Sequence, residues 1–72
     1  METTVMKIHK NGAEISLMDS SKWRLNNVGD MTKTILWYPT QRIKIEEKEN
    51  GKYILVNLDT YASDEIEVSR IY

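Results

Sequence analysis

The chain carries one histidine, no cysteine and eleven Asp/Glu side chains, and these bound the chemistry open to it. His9 is the sole candidate for a general base or an imidazole ligand. A lone imidazole with a single carboxylate, Glu14, across from it makes neither a metal cage nor a nucleophile–base–acid triad. A polar pair between two strands explains it more simply. Seven of the carboxylates fall into two runs, Glu46, Glu47 and Glu49, then Asp59, Asp64, Glu65 and Glu67. Calcium loops place oxygen ligands at alternate positions and end on a glutamate, and no Asp-x-Asp-x-Asp-Gly stretch occurs. Glu65 and Glu67 instead alternate with Ile66 and Val68, as the wet face of a strand should. The three glycines are isolated at positions 12, 29 and 51, so no loop cradles a phosphate. Neither Gly-x-Ser-x-Gly nor His-Glu-x-x-His is present. The reading is therefore no catalytic residue, no metal ligand, no cofactor and no enzyme.

Aromatic and cationic residues offer more. Trp37, Tyr38, Pro39 and Arg42 cluster in the chain, and Trp23 stands between Lys22 and Arg24. Large aromatics bordering a proline suit a surface that docks another protein chain or a second copy of this one. Trp37 and Tyr38 are adjacent, so in extended backbone they point to opposite faces, and one of them is expected to be exposed. The same residue types also describe a platform for single-stranded nucleic acid, with bases stacked on an aromatic and phosphates met by Lys22, Arg24, Arg42 and Lys44. The net charge of −1 argues against a strong phosphate-binding field over the whole molecule. It is unevenly spread, seven Lys/Arg against four Asp/Glu in residues 1–45 and three against seven in residues 46–72. Interleaved strands are expected to average this out.

The elements that must position these residues read as strands. Asn11-Gly12 is the signature of a two-residue type I′ turn, and apolar residues alternate on both sides of it. The implied register pairs Lys10 with Ala13, Ile8 with Ile15 and Met6 with Leu17, leaving His9–Glu14 and Lys7–Ser16 on the outer face. After the Asp19-Ser20-Ser21 turn, Lys22-Trp23-Arg24-Leu25 alternates with Trp23 and Leu25 inward. Residues 26–34 show no period and are expected to form a loop, with one helical turn capped by Asp30. Pro39 cannot donate to a ladder, so it ends a strand, opens an edge or marks a bend. A second turn at Asn50-Gly51 sets Ile45 against Val56 and Ile43 against Leu58 inside, with Glu46–Leu55 and Lys44–Asn57 outside. Asp59 to Ser63 forms another turn. In the last strand Val68 and Ile71 conflict in parity, which a bulge near Ser69-Arg70 would repair.

Six short strands with turns about every ten residues predict an all-β protein, one domain over residues 1–72. A chain this short cannot build two sheets with separate cores. The predicted architecture is a small, strongly bent, partly open barrel of the Src-homology-3-like type, with an oligonucleotide/oligosaccharide-binding barrel as the alternative. No run of apolar residues reaches the length of a membrane helix, and the N-terminus lacks a signal-peptide pattern, so a cytoplasmic protein without membrane contact is expected. The string Ile15-x-Leu17-x-x-x-Ser21-x-Trp23, with Leu36-Trp37-x-Pro39 and Asn57-Leu58-Asp59-Thr60, resembles uncharacterised small bacterial all-β proteins of similar length. Ser20 stands where those have glycine. The resemblance spans residues 15–72, implies a shared barrel and transfers no activity.

Overall fold

The structure, a computed structural model, describes residues 2–60 and 62–71. Six antiparallel strands, β1 (Glu2–His9), β2 (Glu14–Leu17), β3 (Lys22–Leu25), β4 (Arg42–Glu47), β5 (Tyr53–Asn57) and β6 (Glu65–Arg70), close into a barrel in the order β1-β2-β3-β6-β5-β4. One short helix, α1 (Met31–Thr34), lies on the crossover from β3 to β4. The barrel closes because β1 serves two neighbours. Its first residues pair with β4, through Glu2↔Lys44, Thr3↔Ile43 and Thr4↔Arg42, and its later ones pair with β2. Closure gives every strand a neighbour on each side, which shortens the exposed ladder edges of so small a sheet.

Near its turn, the first hairpin has the expected register, Ile8↔Ile15, Lys7↔Ser16 and His9↔Glu14. Asn11 and Gly12 take the positive φ angles of a type I′ turn, 58° and 102°, and the Ala13 N–H donates to the Lys10 carbonyl. Further along, the expected pairing fails. Val5, not Met6, faces Leu17, and a bulge at Met6 separates the two registers. The cause is parity: Val5 and Ile8 both turn toward the core, and residues three apart cannot share a face of a regular strand. The extra residue restores the match and leaves Met6 exposed.

The second hairpin departs from its expected register by one residue. Ile43 faces Asn57, Ile45 faces Leu55 and Glu47 faces Tyr53. The connection is longer than a two-residue turn: Glu49–Gly51 makes a 3-10 turn, Gly51 adopts φ 72°, and the Lys48 N–H closes onto the Lys52 carbonyl. A turn followed by a left-handed glycine is the usual three-residue hairpin loop. Its consequence is that Leu55 and Asn57, rather than Val56 and Leu58, point inward with Ile43 and Ile45. In β6 the anticipated bulge is absent. Trp23↔Arg70, Arg24↔Ser69 and Leu25↔Val68 run in unbroken register, and Ile71 simply lies beyond the strand. Arg70 therefore shares the inward face with Ile66 and Val68.

The core runs from Trp23 through Ile15, Leu17, Leu55 and Val68 to Trp37. Both tryptophans are buried, supplying the bulk that a chain without phenylalanine must find elsewhere. Of the expected 59–63 turn, Tyr61 lies outside the described residues.

Candidate interaction surface

The crossover that joins β3 to β4 carries the residues singled out in the sequence. Its first part winds through a 3-10 turn, Val28–Asp30, into α1. The helical turn is where it was expected, but Asp30 makes no side-chain cap; its carboxylate lies 3.7 Å from Lys33 Nζ. The anchor is Thr34 instead. Its buried hydroxyl donates to the Gly12 carbonyl at 2.7 Å, tying the crossover to the β1–β2 turn. A Cβ on Gly12 would stand 2.6 Å from Thr34 Oγ1, so glycine is needed there for close approach as well as for its φ.

From this anchor the chain enters Ile35-Leu36-Trp37-Tyr38-Pro39 as turn and irregular backbone, not as a strand. Trp37 drops into the core, and its indole N–H reaches Asp64 Oδ2 at 3.4 Å. Pro39 and Thr40 then form the centre of a turn in which the Gln41 N–H meets the Tyr38 carbonyl. With Thr40 at φ 76°, this is the type II shape, and proline suits the position before it. Of the roles left open for Pro39, it takes the bend. Buried Gln41 locks the turn from below. Its Oε1 accepts the Tyr38 N–H at 3.0 Å and the Asn57 side-chain amide at 2.8 Å. Asn57 is wholly buried at a position the barrel would otherwise fill with an apolar side chain, and its Oδ1 takes the Asp59 N–H. Among the described residues no buried side-chain polar atom lacks a partner, so this network is fully satisfied.

The result is a rigidly seated strip of apolar side chains facing water. Leu36 is 74% exposed, Tyr38 61% and Ile35 50%, with Pro39 beside them, whereas Trp37 is only 3% exposed. The pair named in the sequence is thus resolved: Tyr38 is the surface aromatic and Trp37 is core. Trp37 is withdrawn as a contact residue, because burial of its ring is what holds the strip in place. Leu36 and Ile35 were missed; their signal was the unbroken apolar run itself, which no single face of an element could bury. Arg42 is exposed but already engaged. Nε and Nη2 both reach Asp59 Oδ1, at 3.0 and 2.8 Å, while its backbone N–H donates to Oδ2. These bonds hold the Asp59 carboxyl below the usual aspartate range, first through the guanidinium and then through the backbone N–H, and raise Arg42 correspondingly.

The cations proposed for a nucleic-acid platform are not brought together. Lys22 and Arg24 lie on β3, Arg42 and Lys44 on β4, and these strands are diametrically opposed in the six-membered ring. Lys22 reaches Glu14 at 3.5 Å and Lys44 reaches Glu46 at 3.3 Å. Trp23 is buried, edge-on to Tyr53 at 5.0 Å between centroids, and is not the exposed aromatic that such a platform presents. His9 sits opposite Glu14 in register, yet its Nε2 pairs with Ser16 Oγ at 2.9 Å. Glu14 turns to Lys10, at 2.8 Å, and to Lys22, and these ammonium groups pull its carboxyl below the ordinary range, Lys10 foremost. No group of three or more His, Cys, Asp or Glu among the described residues could hold a metal ion. No helix of the described residues is long and apolar enough to cross a membrane. No protein-family model, curated protein or solved structure matches the chain.

Proposed function

We propose that this barrel is a non-enzymatic interaction module whose crossover, residues 26–42, docks an apolar segment of a protein partner. The observation that carries the reading is the Ile35, Leu36, Tyr38 and Pro39 strip, exposed on backbone held from beneath by Trp37, Gln41 and Thr34. A preorganised platform loses little conformational freedom on binding, which favours affinity from a small area. Tyr38 is the expected anchor, since its ring adds contact area and its hydroxyl a polar handle at low entropic cost. The small size and all-antiparallel strands of the barrel suit the Src-homology-3-like class of small binding domains, and the cysteine-free composition suits a cytoplasmic setting.

The test is the double variant Leu36→Ser/Tyr38→Ser. Both side chains are solvent-facing, so its thermal midpoint should match that of wild type, while affinity for a partner isolated with the wild-type protein should fall by about tenfold or more. Unchanged affinity in the folded double variant would refute the assignment. A second copy of the chain as the occupant would appear as a concentration-dependent dimer, lost in the same variant.

A further inference from the structure

At a distance from the crossover, a cleft of about 470 Å³ opens between the β2–β3 turn and the start of β5. It is lined by Asp19, Trp23, Ile45, Glu47, Tyr53 and Arg70. The register explains how these converge. Trp23 and Arg70 are partners across β3 and β6, Glu47 faces Tyr53 across β4 and β5, and Ile45 is the next inward residue on β4. The floor is aromatic, with Tyr53 set edge-on to Trp23 at an interplanar angle of 60°. The indole is held by its own N–H, which donates to Ser21 Oγ at 2.8 Å. Ser21 is fixed in turn by Asp19, which accepts both its backbone N–H and its hydroxyl. Over the indole face lies the Arg70 guanidinium, 5.5 Å from the ring centroid. An electron-rich face flanked by carboxylates selects positive charge, and this one already holds a cation drawn from its own chain.

We infer that this cleft is a binding site for an organic cation, an alkylammonium or guanidinium on a short aliphatic stem, and that Arg70 is its exchangeable internal occupant. Two carboxylates against one guanidinium leave the lining with net negative charge once Arg70 is counted. An anionic ligand would have to pass Asp19 and Glu47, whereas a cation meets attraction from both. Ile45 provides the apolar wall for a stem, and the cleft volume lies within the range of small-molecule sites, roughly 300–1,000 Å³. An entering cation takes the place of Arg70 over Trp23, and the displaced guanidinium moves outward toward solvent. This site shares no residue with the crossover strip and stands or falls independently of it.

The experiment is a titration of the intact protein followed by proton–nitrogen correlation spectra, using butylammonium, arginine amide and a lysine-containing tripeptide amide at constant ionic strength, with acetate as the anionic control. The two indole N–H resonances report separately. That of Trp23 should move saturably with each cation and that of Trp37 should stay still. Glu47→Gln should weaken binding by about threefold or more by removing one rim charge. Arg70→Gln, checked for folding by its dispersed spectrum, should tighten binding by about the same factor, because the competitor is gone. Tighter binding of the tripeptide than of butylammonium assigns the site to basic side chains of a polypeptide, and equal binding assigns it to free small cations. Saturable movement with acetate, loss of cation binding in Arg70→Gln, or no saturable shift of Trp23 with any cation would overturn the proposal.

Discussion

Thr40 occupies left-handed backbone, φ 76°, that a β-branched residue resists, and the turn it completes presents Tyr38. Relief of that strain outweighs the entropy glycine adds to the unfolded chain, so Thr40→Gly should raise stability by about 0.5–1 kcal/mol in denaturant melts. Gly12→Ala should do the reverse. It combines φ 102° with a Cβ placed 2.6 Å from Thr34 Oγ1 and 3.1 Å from the Ile35 backbone nitrogen, and a loss of about 2–3 kcal/mol is expected. The Asp59 carboxyl, lowered by Arg42, adds stability that is complete above the ordinary aspartate value of 3.8 and is lost as pH falls through the lowered one. Asp59→Asn should therefore flatten the acid limb of the stability curve below that value and leave the neutral region's slope unchanged, as read from melts across pH. At this scale the sequence was legible where type alone decides, as with Gly12 in its turn, but it did not foretell that His9 pairs with Ser16 rather than with Glu14. It was silent on Asn57 and Gln41. Polar residues buried as a mutually satisfied pair look like surface residues until the fold places them together.

Among the elements, β1 is the strand on which closure depends. The Met6 bulge lets one strand keep Val5 and Ile8 on the core face while its two halves pair with β4 and β2. Met6 itself packs little, so Met6→Thr should stay within about 0.5 kcal/mol of wild type. Deleting the residue should also be tolerated, because Val5 and Ile8 would then stand two apart and share the core face of a regular strand, and a retained cooperative melt is the expected readout. The parity conflict between Val68 and Ile71 was visible in the sequence, whereas that between Val5 and Ile8 was hidden, because Met6 offered an apolar residue of the right parity. The two were resolved in opposite ways: one by a bulge, the other by ending β6 at Arg70. Where periodicity detects such a conflict, it does not say whether the chain bends or stops. Asn-Gly likewise located both turns, yet the second uses a longer loop with Gly51 left-handed, which moved its whole hairpin by one residue.

For the molecule as a whole, alternation and turn spacing were enough to predict a single small barrel, and the ring of six strands agrees. Ring order was beyond a local reading, since it depends on which distant strands meet. That order sets Lys22 and Arg24 on the strand opposite the one that carries Arg42 and Lys44. It also leaves the crossover as a place where large apolar side chains consecutive in the chain face water, with the backbone beneath them held by hydrogen bonds. The most direct test is photo-cross-linking in cells from a reactive amino acid at position 36, with position 48 on the β4–β5 loop as control. A discrete adduct from position 36, either with one other protein or with a second copy, that is absent from position 48 and disappears on Tyr38→Ser is the predicted result. The same adducts from both positions, or none from position 36, would contradict the assignment of the crossover as the interaction surface.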